Sequence, residues 1–116
     1  MIEVRNYIRG EWVSIRQGRE IEVRNPADPD EVVGKGFLAS AREAGAALAA
    51  ASEALPAWWR MPAPKRGEIV ERAADLLRAE QDEVARLLTR EEGKTVAEAK
   101  GEIYRAYNVL NFTAGQ

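Results

Sequence analysis

The chain has no cysteine and no histidine. Their absence removes disulfides, thiolate nucleophiles, Ser-His and Cys-His dyads, and nearly every zinc or transition-metal site that side chains build. An excess of positive charge is missing too: 17 Lys and Arg against 19 Asp and Glu leave a formal net charge of −2. Such a balance provides no attraction for nucleic acid or for an anionic membrane surface. No apolar run approaches the ~20 residues of a membrane span, and the opening Met1-Ile2-Glu3-Val4-Arg5 has no apolar signal core. Neither nucleic acid nor membrane is expected as a partner, and the chain is read as cytoplasmic.

What is present is an ordinary globular composition, 46% hydrophobic and 31% charged, in 116 residues. That length buries one hydrophobic core and no more. Residues 1–38 have β character. Tyr7-Ile8-Arg9, Glu11-Trp12-Val13, Glu20 to Val23 and Val32-Val33 carry β-branched and aromatic residues, interrupted at Gly10, Gly18 and Asn25-Pro26. This predicts a β-hairpin and short strands. Ile21 and Val23 alternate with Glu20, Glu22 and Arg24, the pattern of a strand with one wet face. The turn formers from Asn25 to Asp30 predict a loop.

From Ser40 the period changes to that of helices, and residues 40–116 read as three of them. Ser40 and Glu43 have the capping-box spacing, so helix one is expected from Ala41 to Leu55, ended by Pro56. Its stripe of Ala44, Ala47, Leu48, Ala51 and Leu55 is built mostly of small side chains. Helix two is expected from Pro64 to about Arg90. Ile69, Ala73, Leu76, Leu77, Val84, Leu87 and Leu88 form its inner face, and Glu68–Arg72 and Asp82–Arg86 its wet four-apart pairs. Helix three opens at Thr95, whose spacing to Glu98 is again that of a capping box, and carries Val96, Ala99, Ile103, Ala106, Tyr107, Leu110 and Ala114. It reaches the last residues with its apolar face still running, which reads as a chain cut short. At least one of Trp58 and Trp59 is expected to fill the core between helices one and two; the other reading is a surface that packs on something else.

Three candidate sites reduce to structure. Gly34-Lys35-Gly36-Phe37-Leu38-Ala39 matches a dinucleotide fingerprint, but the helix starts after the glycines, and Ala57, Trp58 and Trp59 stand where a ribose-binding acid belongs. The glycines are read as part of a strand lying against a neighbour. Glu92-Gly93-Lys94-Thr95 resembles the end of a phosphate-binding loop, yet its first glycine position is Leu88 on a helical apolar stripe. It is read as a helix-to-helix turn closed by Gly93 and reopened by Thr95. The carboxylates lie mainly on wet faces; Glu91 and Glu92 are expected in solvent and Glu102 in a peripheral ion pair. No catalytic, cofactor-binding or metal residue is assigned.

Taken in order, "NYIRGEWV", "VRNPADPDEVVG", "AGAALAAASEALPAWWRMPAPKRGEIVERAADLL", "TREEGKTVAEAKGEI" and "NFTAG" cover nearly all of Tyr7 to Gly115. This series resembles the amino-terminal region of the aldehyde dehydrogenase superfamily. The resemblance implies an α+β fragment of a larger α/β aldehyde dehydrogenase fold, with residues 1–116 the opening segment of the cofactor-binding domain. In that family a cysteine thiolate attacks an aldehyde, hydride passes to NAD or NADP, and the thioester is hydrolysed to the acid. The cysteine, the glutamate base, the oxyanion-hole asparagine and the main dinucleotide-binding units lie downstream of this segment. The isolated chain is therefore expected to bind no cofactor and to be inactive. Its partners would be the remainder of the subunit, an aldehyde substrate in the full-length enzyme only, and further copies of itself in a homo-oligomer.

"REEGKTVAEAKGE" resembles dehydrogenases of carboxylate-bearing semialdehydes. The stretch around Asn108, Phe112 and Gln116 resembles the approach to a substrate tunnel. The Val23 backbone with Glu102 resembles a structural monovalent-cation site of some members. The alternative from a different class is a free-standing helical interaction module binding through Trp58, Trp59, Val109 and Phe112.

Overall fold

A computed structural model describes all 116 residues. They form two compact units, Met1–Trp58 and Trp59–Gln116.

The first unit holds strands β1 (Ile2–Glu3), β2 (Asn6–Ile8), β3 (Glu11–Val13), β4 (Glu20–Asn25) and β5 (Asp28–Phe37) and nearly all of helix α1 (Ala41–Arg60). β5 is the central strand of a three-stranded sheet, parallel to β1 and antiparallel to β4, while β2 and β3 form a separate hairpin. Ile21 and Val23 turn inward and Glu20, Glu22 and Arg24 outward, as the alternation predicts. The two glycines of β5 permit close approach by the amino-terminal segment. A Cβ on Gly36 would stand 2.7 Å from the Val4 Cβ, and one on Gly34 3.3 Å from the Ile2 carbonyl oxygen. The Val4 N–H then reaches the Lys35 carbonyl at 2.7 Å.

The expected loop from Asn25 to Asp30 contracts to a turn at Pro26-Ala27, and Asp28, Pro29 and Asp30 begin β5. Side chains hold this extension. Asn25 Oδ1 accepts from the Ala27 N–H at 2.9 Å, Asn25 Nδ2 donates to Glu31 at 2.7 Å, and Arg24 donates to the Pro29 carbonyl at 2.9 Å. Irregular register between Val23 and Asn25 accommodates Pro29, which has no N–H for a ladder.

Helix α1 does not stop at Pro56 but continues to Arg60. A proline inside a helix strips one carbonyl, here that of Ser52, of its donor. Residues 51–60 are all exposed, so water can take the donor's place. The stop comes instead at Pro62, which disfavours helical geometry at Met61. The small-residue stripe is uncovered: α1 has no buried residue. Trp58 and Trp59 are 39% and 76% exposed and fill no core, which favours the surface reading.

The second unit contains α2 (Ala63–Ala79), α3 (Gln81–Glu92) and α4 (Val96–Ala114), making four helices in all where the sequence predicts three. The expected long helix breaks at Glu80, which has φ −95° and ψ 10°, although no glycine or proline lies there. Tertiary packing provides the reason. Both α2 and α3 lie against α4, whose 19 residues extend only about 28 Å, whereas a straight helix from Pro64 to Arg90 would extend about 40 Å. A bend lets both segments share one partner, and the Glu80 carbonyl accepts the first α3 bonds from Glu83 and Val84 at 3.0 Å.

Ala74, Ala85 and Ala99 are wholly buried and Ile103 is 5% exposed, with Leu77, Val84 and Leu88 packed around Ala85, Ala99 and Ile103. The inner face of α2 is therefore Val70, Ala74 and Leu77, while Ile69 and Leu76, expected inside, are 49% and 59% exposed. On α4, Val96 and Ala106 also face outward. Glu68 bonds Lys65 at 3.0 Å, and Asp82 reaches Lys100 of α4 at 2.7 Å while still feeling the charge of Arg86 four residues on.

Gly67 explains how closely α2 meets the end of α4, since a Cβ there would lie 2.5 Å from the Ala114 carbonyl oxygen. Backbone cannot swing aside as a side chain would. Gly67→Ala should therefore destabilise the chain by about 1–2 kcal/mol, with steric displacement outweighing the ~1 kcal/mol gain in helix propensity. Gly101 of α4 has nothing within 4 Å of its would-be Cβ, so Gly101→Ala should stabilise by about 0.5–1 kcal/mol. Urea unfolding of the two variants checks both signs.

Candidate functional site

The two phosphate-like motifs are structural. Gly34 and Gly36 lie inside β5, and α1 begins only at Ala41. Gly93 adopts φ 79° and closes α3, its N–H bonding the Thr89 carbonyl at 2.8 Å. Lys94 is held by Glu92 and Glu102, each at 2.5 Å. Thr95 caps α4, donating from Oγ1 to Glu98 at 2.7 Å and accepting the Glu98 N–H at 3.3 Å. Neither glycine run presents a row of free N–H groups at a helix start. Glu102 forms the expected ion pair, and Glu91 and Glu92 are exposed as expected.

Each unit carries surface grooves. In the second unit a groove of about 370 Å³ runs along the contact of α2 with the end of α4, with Glu71 and Asp75 on one wall and Tyr107, Asn111 and Ala114 on the other. Arg78 lies 4.9 Å over the Tyr107 ring, which also stacks with Tyr104 at 6.3 Å. Asn108, Phe112 and Gln116 point away into solvent, Phe112 being 72% exposed. The sequence places Tyr107 on an apolar stripe and gives Asn111 no role; their four-residue spacing was the signal that they share a face. In the first unit a groove of about 610 Å³ lies between the β2–β3 hairpin and α1. Tyr7 and Ile8 line one side and Ala47, Ala50, Ala51 and Ala54 the other.

The family model for the aldehyde dehydrogenase family matches residues 12–116. The chain belongs to the aldehyde dehydrogenase family. It is 42% identical to the alpha-ketoglutarate semialdehyde dehydrogenase of Haloferax volcanii over 108 residues, which are 93% of this chain and 22% of that protein. The NADP(+) succinate-semialdehyde dehydrogenase of Escherichia coli is 42% identical over 107 residues, 92% of this chain and 22% of that protein. Among solved structures, an NAD-dependent aldehyde dehydrogenase from Sinorhizobium meliloti superposes with a TM-score of 0.92 at 34% identity, covering 98% of this chain and 23% of that one. The chain thus spans less than a quarter of the length of the relatives it matches.

In this aldehyde dehydrogenase segment five carboxylates are shifted downward, Glu22, Glu43, Glu53, Asp82 and Glu98. Lys35 and then Arg24 lower Glu22, Arg9 lowers Glu53, Lys100 lowers Asp82, and the Thr95 hydroxyl and N–H lower Glu98. A general acid requires the opposite shift. The largest effect is at Glu43, brought to about 2 from its ordinary 4.5 by the Ser40 hydroxyl, then the Ser40 N–H, then Arg42. This is helix-cap chemistry. The Ser40 N–H donates to Glu43 at 2.8 Å, although Ser40 Oγ accepts from the Arg42 N–H at 3.2 Å rather than from Glu43.

Because the folded pKa of Glu43 lies below its unfolded value, its stabilisation is complete above about pH 4.5 and is lost as pH falls toward 2. Amide protection in the first turn of α1 should decline across that window, and Glu43→Ala should remove the decline. For α4, Thr95→Ala should cost about 1 kcal/mol and Thr95→Ser much less, both read by chemical denaturation.

Proposed function

We propose that this chain is the amino-terminal part of an NAD(P)-dependent aldehyde dehydrogenase that oxidises a carboxylate-bearing semialdehyde to the corresponding acid. The family membership supports the reaction class, and the semialdehyde names of the two relatives support the substrate class. Within that enzyme residues 1–116 would be the opening segment of the cofactor-binding domain, resident in the cytoplasm and assembled in a homo-oligomer.

The role of the segment is structural. It has no cysteine to attack an aldehyde, and its glycine runs form a strand and a helix stop rather than a dinucleotide cradle. Catalytic groups and cofactor contacts come from the remainder of the subunit. What the segment contributes is position: α4, held by α2 and α3, presents Val109 and Phe112 outward at 58% and 72% exposure. Displacements of about 1 Å in such supporting elements are enough to slow chemistry strongly.

The observation that carries this reading is the inversion of size between inside and outside. Ala74, Ala85 and Ala99 are buried in the second unit, while Leu48, Trp59, Leu76, Val109 and Phe112 are more than half exposed. Apolar surface of that kind marks contact faces. A free-standing interaction module is not favoured, because the family match runs through residues 12–116.

The test is NAD(P)+-dependent oxidation of a panel of carboxylate semialdehydes by the 116-residue chain and by the chain extended through the downstream reading frame. Activity in the extended form alone is expected. Turnover by the short chain would overturn the structural role, and an extended form active only on aldehydes lacking a carboxylate would overturn the substrate class.

A further inference from the structure

The turn that joins β2 to β3 contains a residue its geometry disfavours. Ile8 pairs with Glu11, leaving Arg9 and Gly10 as the two loop residues, with φ 56° and 83°. Two successive positive φ values define the primed hairpin turn that matches strand twist, and its first position favours Asn, Asp or Gly. Arginine gains nothing from the left-handed conformation, because its Cβ crowds the following carbonyl oxygen. It is the only non-glycine residue in the chain with positive φ.

The side chain supplies the reason. Arg9 Nη2 donates to Glu53 Oε1 at 2.9 Å, and Nη1 lies 2.6 Å from Oε2, a two-pronged match of guanidinium to carboxylate across 44 residues of sequence. Glu53 belongs to α1. The rest of the hairpin stands across grooves from the alanine face of α1, and its own aromatic pair, Tyr7 and Trp12, is more than 60% exposed. Each partner favours the charged form of the other, Arg9 being raised and Glu53 lowered.

We infer that the β2–β3 hairpin is a strap fastened to α1 by the Arg9–Glu53 fork, and that arginine occupies the left-handed turn position for that fastening rather than for the turn. The inference is independent of the proposed enzymatic role. It separates two properties that a turn residue ordinarily couples. Strand pairing within the hairpin depends on backbone geometry, whereas docking on α1 depends on an exposed ion pair and so weakens with salt.

The cysteine-free sequence makes the measurement direct. Spin labels are attached at Glu11→Cys on the hairpin and Ala49→Cys on α1, both exposed positions, and the distance distribution is recorded. A narrow docked distance is expected in the parent chain. Glu53→Gln should introduce a broad component, lowering the docked-to-open ratio by up to about fivefold, the range of a well-aligned exposed pair. Arg9→Asn should do the same while leaving amide protection of Tyr7 to Trp12 equal or higher, a combination that a purely turn-forming role does not produce. Raising salt on the parent chain should broaden the distribution in the same direction, a readout that requires no variant to fold. An unchanged distance in Glu53→Gln and at high salt would overturn the inference. So would loss of strand pairing in Arg9→Asn with docking retained.

Discussion

The arrangement of the second unit depends on how closely helix backbones can approach one another. Ala74, Ala85 and Ala99 are buried without residual exposure, and Gly67 leaves no room for even a Cβ beside the Ala114 carbonyl. Small residues at these contacts bring α2 and α3 against one partner, α4. Burying a methyl group releases far less free energy than burying a leucine or phenylalanine side chain. The unit thus achieves close packing with little hydrophobic gain, and much of its large apolar surface faces outward. Trp59, Leu76, Val109 and Phe112 are the result. This is the construction expected of a layer whose other side meets further protein.

Charge has a complementary function, marking the ends of elements. Glu43 and Glu98 hold the first turns of α1 and α4. Asp82 with Lys100 ties the start of α3 to α4, and Lys94 joins Glu92 at the end of α3 to Glu102 in the second turn of α4. Each such pair satisfies groups that a helix end or an interhelical turn would otherwise leave to solvent. In the second unit the downward shifts of Asp82 and Glu98 come from Lys100 and from the Thr95 cap, contacts that also join or begin helices.

Much of the local structure was legible in the sequence because it depends on neighbours a few residues apart. The capping spacing of Thr95 and Glu98, the stop at Gly93, the alternation in β4 and the Gly10 hairpin all appear where their residues predict. The glycines of β5 were readable as a strand against a neighbour, though not which neighbour; that β1 runs parallel to β5 follows from no local pattern. The groove walls at Glu71, Asp75, Tyr107 and Asn111 were not legible either. They join residues of two helices whose facing depends on packing.

By itself, then, the sequence determined the element types, most helix starts, the family and the absence of a thiol nucleophile, since these rest on residue identity and short-range spacing. Only the tertiary structure decided that Pro56 is carried within α1, that the long helix bends at Glu80, and which of two apolar stripes of α2 turns inward. Those choices compare alternatives of nearly equal local free energy. The difference between them comes from distant partners: water around an exposed proline, the limited length of α4, and the one face of α2 on which a glycine allows contact.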